Sequence, residues 1–484
     1  MSEVTLRKQW FDILKDEDMP KHVKFAKIEM LVMLGIDVNI KDDDNKNGVM
    51  FASEQGNEEI VKFLLKNGAY ANTRYYNKTT SLMLAAKNGH KGVVELLLER
   101  GGLDDTKNIY DSTVEEMRKS RSYNHKSVME FLRENVDFIQ TRDSEGKTAL
   151  LFAAEYGHKD VVEFLIEKGA YADTYDDSKC SPLMWAAQNG HKKVVELLIE
   201  NGAKINAKDD YGKTALMKAS EKGHKEIVEL LIEKGADVNE KDYYGYIALM
   251  MASENGHKDV AKVLIEKGAL VNSENGVGWT ALMLASKNGH KEVVELLVDN
   301  GALVNAETNI GDSALKSAFE HGHKDVIMYL MEKGADIKSD EDYYEYVDSM
   351  LIVSSKRGQK EVVEALIDRG ADVDAIDKNG STALMKASRD GHKDVVELLI
   401  EEGSRVNAQD RNGSTALLKA IEGGYKEVVD LLIENGADVN IRNYDGKTAI
   451  KLAYSDEMRK TIIDAVKKRN EKIDRDVRID GLER

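Results

Sequence analysis

The glycine-alanine pairs of this chain fall into step. Gly169-Ala170, Gly202-Ala203, Gly235-Ala236, Gly268-Ala269 and Gly301-Ala302 each follow the one before by 33 residues. The same mark recurs at Gly35, Gly68, Gly101, Gly334, Gly370, Gly403 and Gly436. Length alone would suggest several globular domains for 484 residues. The period overrules that reading and predicts one quasi-linear array, each unit packing mainly on its neighbours. Such arrays offer surfaces more readily than reaction centres.

One unit, Asp377 to Gln409, shows what repeats. Asp377-Lys378-Asn379-Gly380 has the chemistry of a tight turn. Thr382 can cap a helix beginning at Ala383. Leu384, Ala387 and Ser388 follow at helical spacing, and Gly391 supplies the left-handed residue that ends the helix. Val395, Val396, Leu398 and Leu399 form the apolar stripe of a second helix, which Gly403 stops. The pattern predicts a finger-like turn and two short antiparallel helices. Such a pair cannot bury its own apolar face and must stack.

This unit resembles the ankyrin repeat. The resemblance is carried by Thr214-Ala215-Leu216-Met217, Gly223-His224, Ile227-Val228, Leu230-Leu231 and Gly235-Ala236-Asp237-Val238-Asn239, in register across most of the chain, about residues 42 to 454. It implies an all-α fold, an ankyrin-repeat solenoid of about fourteen stacked helix pairs with short β-hairpin fingers. Two departures stand out. Proline is absent from the helix starts except in Ser181-Pro182-Leu183. The family histidine after Leu is replaced at Met83, Met184, Met217, Met250, Met283 and Met385. Methionine fills space but cannot link repeats as an imidazole does, so the stack is expected to rely on packing and to be looser.

The pattern breaks in four places. Residues 1–41 read as an N-terminal helical cap, with Trp10, Phe11, Ile13 and Leu14 on one helix and Val23, Phe25, Ile28, Leu31 and Leu34 on another. Residues 42–103 and 141–455 read as repeats. Between them, 104–140 is a degenerate repeat: Val114-Glu115-Glu116-Met117-Arg118-Lys119-Ser120 stands where small packing residues belong. There the helix is displaced outward or the array bends, through a hinge or through neutral decay, and this segment is expected to be the weakest internal link. Between Gly334 and Gly370 three extra residues predict a longer finger with an acidic, aromatic tip at Tyr343, Tyr344 and Tyr346. Residues 456–484 read as a C-terminal helical cap and tail, with Ile462, Ile463, Ala465 and Val466 closing the stack.

The formal net charge of −18 argues against nucleic acid, which needs a basic footprint, and against an anionic membrane surface. No stretch has the length of a membrane-spanning helix. The single Cys180 has no partner for an internal disulfide, and no signal peptide is visible, which together suggest a cytoplasmic protein. His90, His158, His191, His224, His257, His290, His323 and His392 recur in phase. Neighbouring repeats would separate their rings by about 10 Å, too far to share an ion. The resemblance makes them structural loop residues. Asp42-Asp43-Asp44-Asn45 lacks the Gly and Glu of a calcium loop. No phosphate loop or nucleophile motif stands out. No cofactor, metal or catalytic residue is therefore assigned.

Aromatic residues on the fingers are the anomaly. Tyr211, Tyr243, Tyr244, Tyr246 and Trp279 fall in three consecutive fingers, and Trp185 lies on the first helix of the preceding repeat. The family fold implies that fingers and first helices line one concave face, so these rings should cluster. Tyrosine and tryptophan dominate binding hot spots, although Tyr also suits extended hairpin backbone. The expectation is a monomeric, non-enzymatic scaffold that binds a basic or mixed protein surface through Trp185, Tyr211, Tyr243, Tyr244, Tyr246, Trp279, Tyr343, Tyr344 and Tyr346. The narrower alternative is an inhibitor or effector that blocks an enzyme's surface. An enzyme with a small catalytic end and a purely structural spacer are the rivals from other classes.

Overall fold

The computed structural model describes residues 3–99, 138–336 and 343–480. The chain divides after Gly276 into two compact units, and the same repeat builds both. Among the described residues the regular structure is helical, without a strand. The fingers are turns, closed in two places by isolated antiparallel bridges, Glu307–Ser313 and Ile376–Thr382.

The repeat around Asp209 shows how sequence becomes local structure. Asp209 is buried and its Oδ1 accepts from the amides of Tyr211 at 2.9 Å and Lys213 at 2.8 Å. That carboxylate organises the finger. Thr214 then caps the helix Ala215–Lys222, its hydroxyl accepting from Met217 N at 3.3 Å. The Met217 sulfur lies 3.5 Å from Thr214 N, so the methionine completes the cap as a weak acceptor. Gly223, at φ 79°, ends the helix. The second helix, Lys225–Glu233, buries Ile227, Val228, Leu230 and Leu231. Helices of this length are marginal alone, so packing between repeats holds them.

Three hydrogen-bond ladders reinforce that packing and correct the expectation of a looser stack. In the first, each loop histidine reaches back to the preceding repeat: His191 Nε2 donates to Glu155 O at 2.9 Å, His224 to Gln188 O at 2.9 Å and His257 to Glu221 O at 3.0 Å. The imidazole at this position does the linking that the methionines do not. A Cβ at Gly223 would stand 2.6 Å from His257 Nδ1, so that glycine is required for the next ring as well as for its own φ. In the second, an asparagine reaches forward. Asn206 Oδ1 accepts from Asp237 N at 3.1 Å while its Nδ2 donates to Gly235 O at 3.2 Å. In the third, successive fingers share one backbone bond, as from Tyr243 N to Tyr211 O at 3.0 Å.

The array departs from its own period in two ways. The helices Ser81–Lys87 and Ala149–Glu155 pack directly on one another. His158 Nε2 donates to Lys87 O at 2.8 Å across a separation of 71 residues, where the ordinary step of the ladder spans 36. Ser144 N bonds Asn77 O at 2.7 Å, joining the two fingers as neighbours. Thirty-five residues more than one repeat therefore lie between two repeats that are nearest neighbours. The degenerate repeat expected at 104–140 falls almost wholly outside the described residues, which resume there with the turn Phe138–Gln140.

At the second departure the expected long finger is corrected. Tyr343, Tyr344 and Tyr346 lie in the first turns of a fourteen-residue helix, Tyr343–Lys356, not on a finger tip. The three extra residues are taken up by a first helix that starts early. Val347, Met350, Leu351 and Ile352 bury into the core of that unit.

At the amino-terminal end the helices Glu3–Lys15 and Lys21–Met33 bury Trp10, Phe11, Leu14, Ile28 and Leu31. Trp10 enters the space above Gly48, where a Cβ would stand 2.9 Å from the indole. At the other end the helix Asp456–Asp480 buries Met458, Ile462 and Ala465 against the repeat before it. Leu34 and Ile463, expected on these apolar stripes, are exposed. Each falls just outside the buried face.

Candidate functional site

Each finger has a fixed grammar. Its first residue is a buried Asp or a polar substitute, as at Asp176, Asp209, Asp242 and Asn275. The next two residues form the tip. The fifth, just before the helix cap, is tucked against the end of its own first helix. There Lys147 Nζ meets Glu155 Oε2 at 2.8 Å and Lys213 Nζ meets Glu221 Oε2 at 2.7 Å. Burial opposes the charge on Glu221, but Lys213 outweighs it and holds the carboxyl below its usual range.

Three of the expected residues occupy tips in the first unit. Tyr211, Tyr243 and Tyr244 are 58%, 68% and 62% exposed. The bond from Tyr243 N to Tyr211 O fixes one finger against the next, and Gly276 N bonds Tyr244 O at 2.8 Å. The Tyr243 ring lies over Gly212, where a Cβ would approach its Cδ1 to 2.8 Å. The Lys208 ammonium stands 6.0 Å from the same ring. The three rings are thus held by backbone that cannot shift independently, which lowers the entropy cost of binding.

The other expected residues do not sit on tips. Trp185 is half-buried. Its indole N–H donates to Asp176 Oδ2 at 2.9 Å, and the Lys147 ammonium lies 4.3 Å from its ring. One repeat later the same helix position holds Lys218, whose Nζ bonds Asp209 Oδ2 at 2.9 Å. Trp185 therefore replaces a lysine as the donor to the finger carboxylate. Tyr246 and Trp279 hold the fifth finger position, one and two repeats after Lys213. Burial raises the Tyr246 phenol, with the Glu254 charge acting the same way and a hydrogen bond with Asn275 acting against. Trp279, in the second unit, lies under the Lys287 ammonium at 5.2 Å.

Among the described residues no group of three or more His, Cys, Asp or Glu could hold a metal. Cys180 is buried, and burial pushes its thiol up to about 11, far from a reactive thiolate.

Comparison with protein-family models agrees with this geometry. A model described as ankyrin repeats (3 copies) matches residues 22–109, 117–209, 208–275, 269–341, 349–443 and 402–471. The chain belongs to the ankyrin repeat family. No curated protein matches it significantly. Residues 117–137 are matched as ankyrin sequence, yet the ankyrin repeats on either side of them pair with each other.

The ankyrin register also identifies tip residues that an aromatic search misses. The tip position of Tyr211 and Tyr244 carries Val277 and Ile310 in the next two repeats, which belong to the second unit. These are 56% and 79% exposed. Their signal in the sequence was alignment by 33 residues rather than residue type. Tyr76, Tyr175 and Tyr444 are exposed on other fingers of the ankyrin array.

Proposed function

We propose that this ankyrin array is a non-enzymatic scaffold that holds a partner protein by its fingertips, centred in the first unit on Tyr211, Tyr243 and Tyr244. Ankyrin repeats in general are protein–protein interaction modules. One observation carries the reading: three exposed tyrosines stand on adjacent fingers that a backbone hydrogen bond ties together. Tyrosine gives large contact area with few rotors and a polar handle. A monomeric protein seldom spends such residues on tips that polar side chains would serve. The net charge of −18 favours a partner with a basic or mixed surface. Trp185, Tyr246 and Trp279 support the fingers from behind, and Val277 and Ile310 give the second unit an apolar tip of its own.

The test pairs two variants of the intact chain. Tyr211→Ala with Tyr244→Ala should leave melting within about 0.5 kcal/mol of wild type. It should weaken partner capture by roughly 2 kcal/mol or more, about thirtyfold. Trp279→Ala should do the reverse, lowering the melting temperature and sparing capture. Retained binding with a lowered melting temperature in the tyrosine variant would show that the rings pack structurally.

A further inference from the structure

Lys24 is placed unlike any lysine of the repeats. It lies in the helix Lys21–Met33 and is buried. Its Nζ donates to Gln55 Oε1 at 2.8 Å and, at 3.4 Å, to Leu14 O. Gln55 Nε2 already satisfies that carbonyl at 2.8 Å. An ammonium has three N–H bonds to place, whereas a neutral amine has two and a lone pair. Two acceptors suit the neutral form.

A cavity of about 260 Å³ opens beside this amine, bounded by Glu17, Met19, Lys21, Lys24, Gln55 and Asn57. It is smaller than the roughly 300–1,000 Å³ of sites for drug-sized ligands, so it suits a compact molecule. Burial lowers the Lys24 pKa, against the opposing fields of Asp16 and Glu17. Glu54, also at the cavity wall, is paired with Lys46 at 2.8 Å. A buried amine that meets only neutral acceptors, with burial disfavouring its ammonium form, beside an open cavity is the arrangement that makes a lysine nucleophilic.

We propose that Lys24 is a selectively reactive amine and that its cavity captures a small aldehyde or α-keto compound as an imine. The Nζ lone pair forms a bond to the carbonyl carbon, and the C=O π pair moves to oxygen, which takes a proton. The carbinolamine then loses water to leave C=N. Amine and carbonyl give imine and water, with no change of oxidation state and no further reactant. Gln55 and Leu14 O position the amine, while Glu17 at the rim can relay protons from nitrogen to the departing oxygen.

The experiment uses the intact chain and limiting pyridoxal near neutral pH. Borohydride reduces any imine to a stable secondary amine, and digestion with mass spectrometry measures the adduct on each lysine. Lys24 should carry about fivefold or more the label of the average lysine, and the preference should vanish when labelling is repeated in urea. A buried lysine that serves only as a brace would be labelled less than average. That result, or uniform labelling, overturns the proposal. Lys24→Arg gives a second reading: the imine absorbance should fall sharply, and absorbance at wild-type strength would also overturn it. The peptide map of the wild-type chain decides the question even if that variant does not fold.

Discussion

The two places where the array loses its period are resolved in opposite ways. Ser81–Lys87 and Ala149–Glu155 pack on one another despite the extra residues between them in sequence, and His158 bonds Lys87 O across the junction. At Tyr343–Lys356 the extra residues are taken in, and a first helix twice the usual length buries Val347, Met350 and Leu351. The first solution preserves the histidine bond and the finger backbone bond at the junction. The second replaces a rung: Asp372 N bonds Asp348 Oδ1 at 2.8 Å, across 24 residues instead of the 31 spanned by the asparagine clamp. A repeat array thus keeps its histidine step at one departure from the period and exchanges an asparagine rung for a carboxylate at the other.

The contrast can be broken most forcefully at Leu351. It has no exposed surface, so Leu351→Ala should cost about 2–5 kcal/mol in urea unfolding. A loss under about 1 kcal/mol would mean that the long helix is not part of the packed array.

Next in size is the histidine bridge. His158→Ala and His257→Ala each strand a carbonyl of the preceding repeat, at a cost of about 1–3 kcal/mol. The two losses should be equal within error if the junction over the extra residues is an ordinary one. A much smaller loss for His158→Ala would show that it is not.

Excision should have a smaller effect of opposite sign. The regular chain passes from Glu233 to Asp237 by Lys234-Gly235-Ala236, so replacing residues 100–137 by Lys-Gly-Ala should restore a standard junction. Shortening the closed loop should stabilise the array by about 1–2 kcal/mol. Unfolding on excision would refute direct stacking.

The least effect is expected at Asp348. Burial raises its carboxyl pKa, partly offset by the bond from Asp372 N, while the Asp372 charge adds to the rise. A carboxyl with a raised folded-state pKa binds its proton more tightly when folded, so its contribution falls as pH rises through that window. Asp348→Asn should therefore stabilise slightly at neutral pH, within about 0.5 kcal/mol because the group is partly solvated. The gain should disappear as pH falls through the raised pKa.

Much of this was legible in residue order. The period gave the repeat, Thr214 and Gly223 marked the first helix, and the Val-Val and Leu-Leu pairs marked the second. What escaped was whatever depends on a neighbour in space. The spacing at 104–140 signalled damage but not which repeats would touch, because that is decided by complementarity between Ser81–Lys87 and Ala149–Glu155. Tyr343-Tyr344-Glu345-Tyr346 resembled a fingertip because turn and helix start both follow an acidic run. Tyr211, Tyr243 and Tyr244 were found on the tips because aromatic residues stand out there. Trp185 stood out for the same reason, but its hydrogen bond to Asp176 is a tertiary fact that residue type does not give. Val277 and Ile310 were overlooked because only their register, not their chemistry, marks them.

Direct pairing across the extra residues has a mechanical consequence. A chain pulled from its ends lengthens by about one repeat, roughly 110 Å, each time an ordinary unit peels away. Opening the junction held by His158 would also free the thirty-five extra residues that separate its two sides in sequence, roughly 120 Å more. One step in the force–extension trace would then be about double the rest, a hidden length that reads out the seam without touching any side chain.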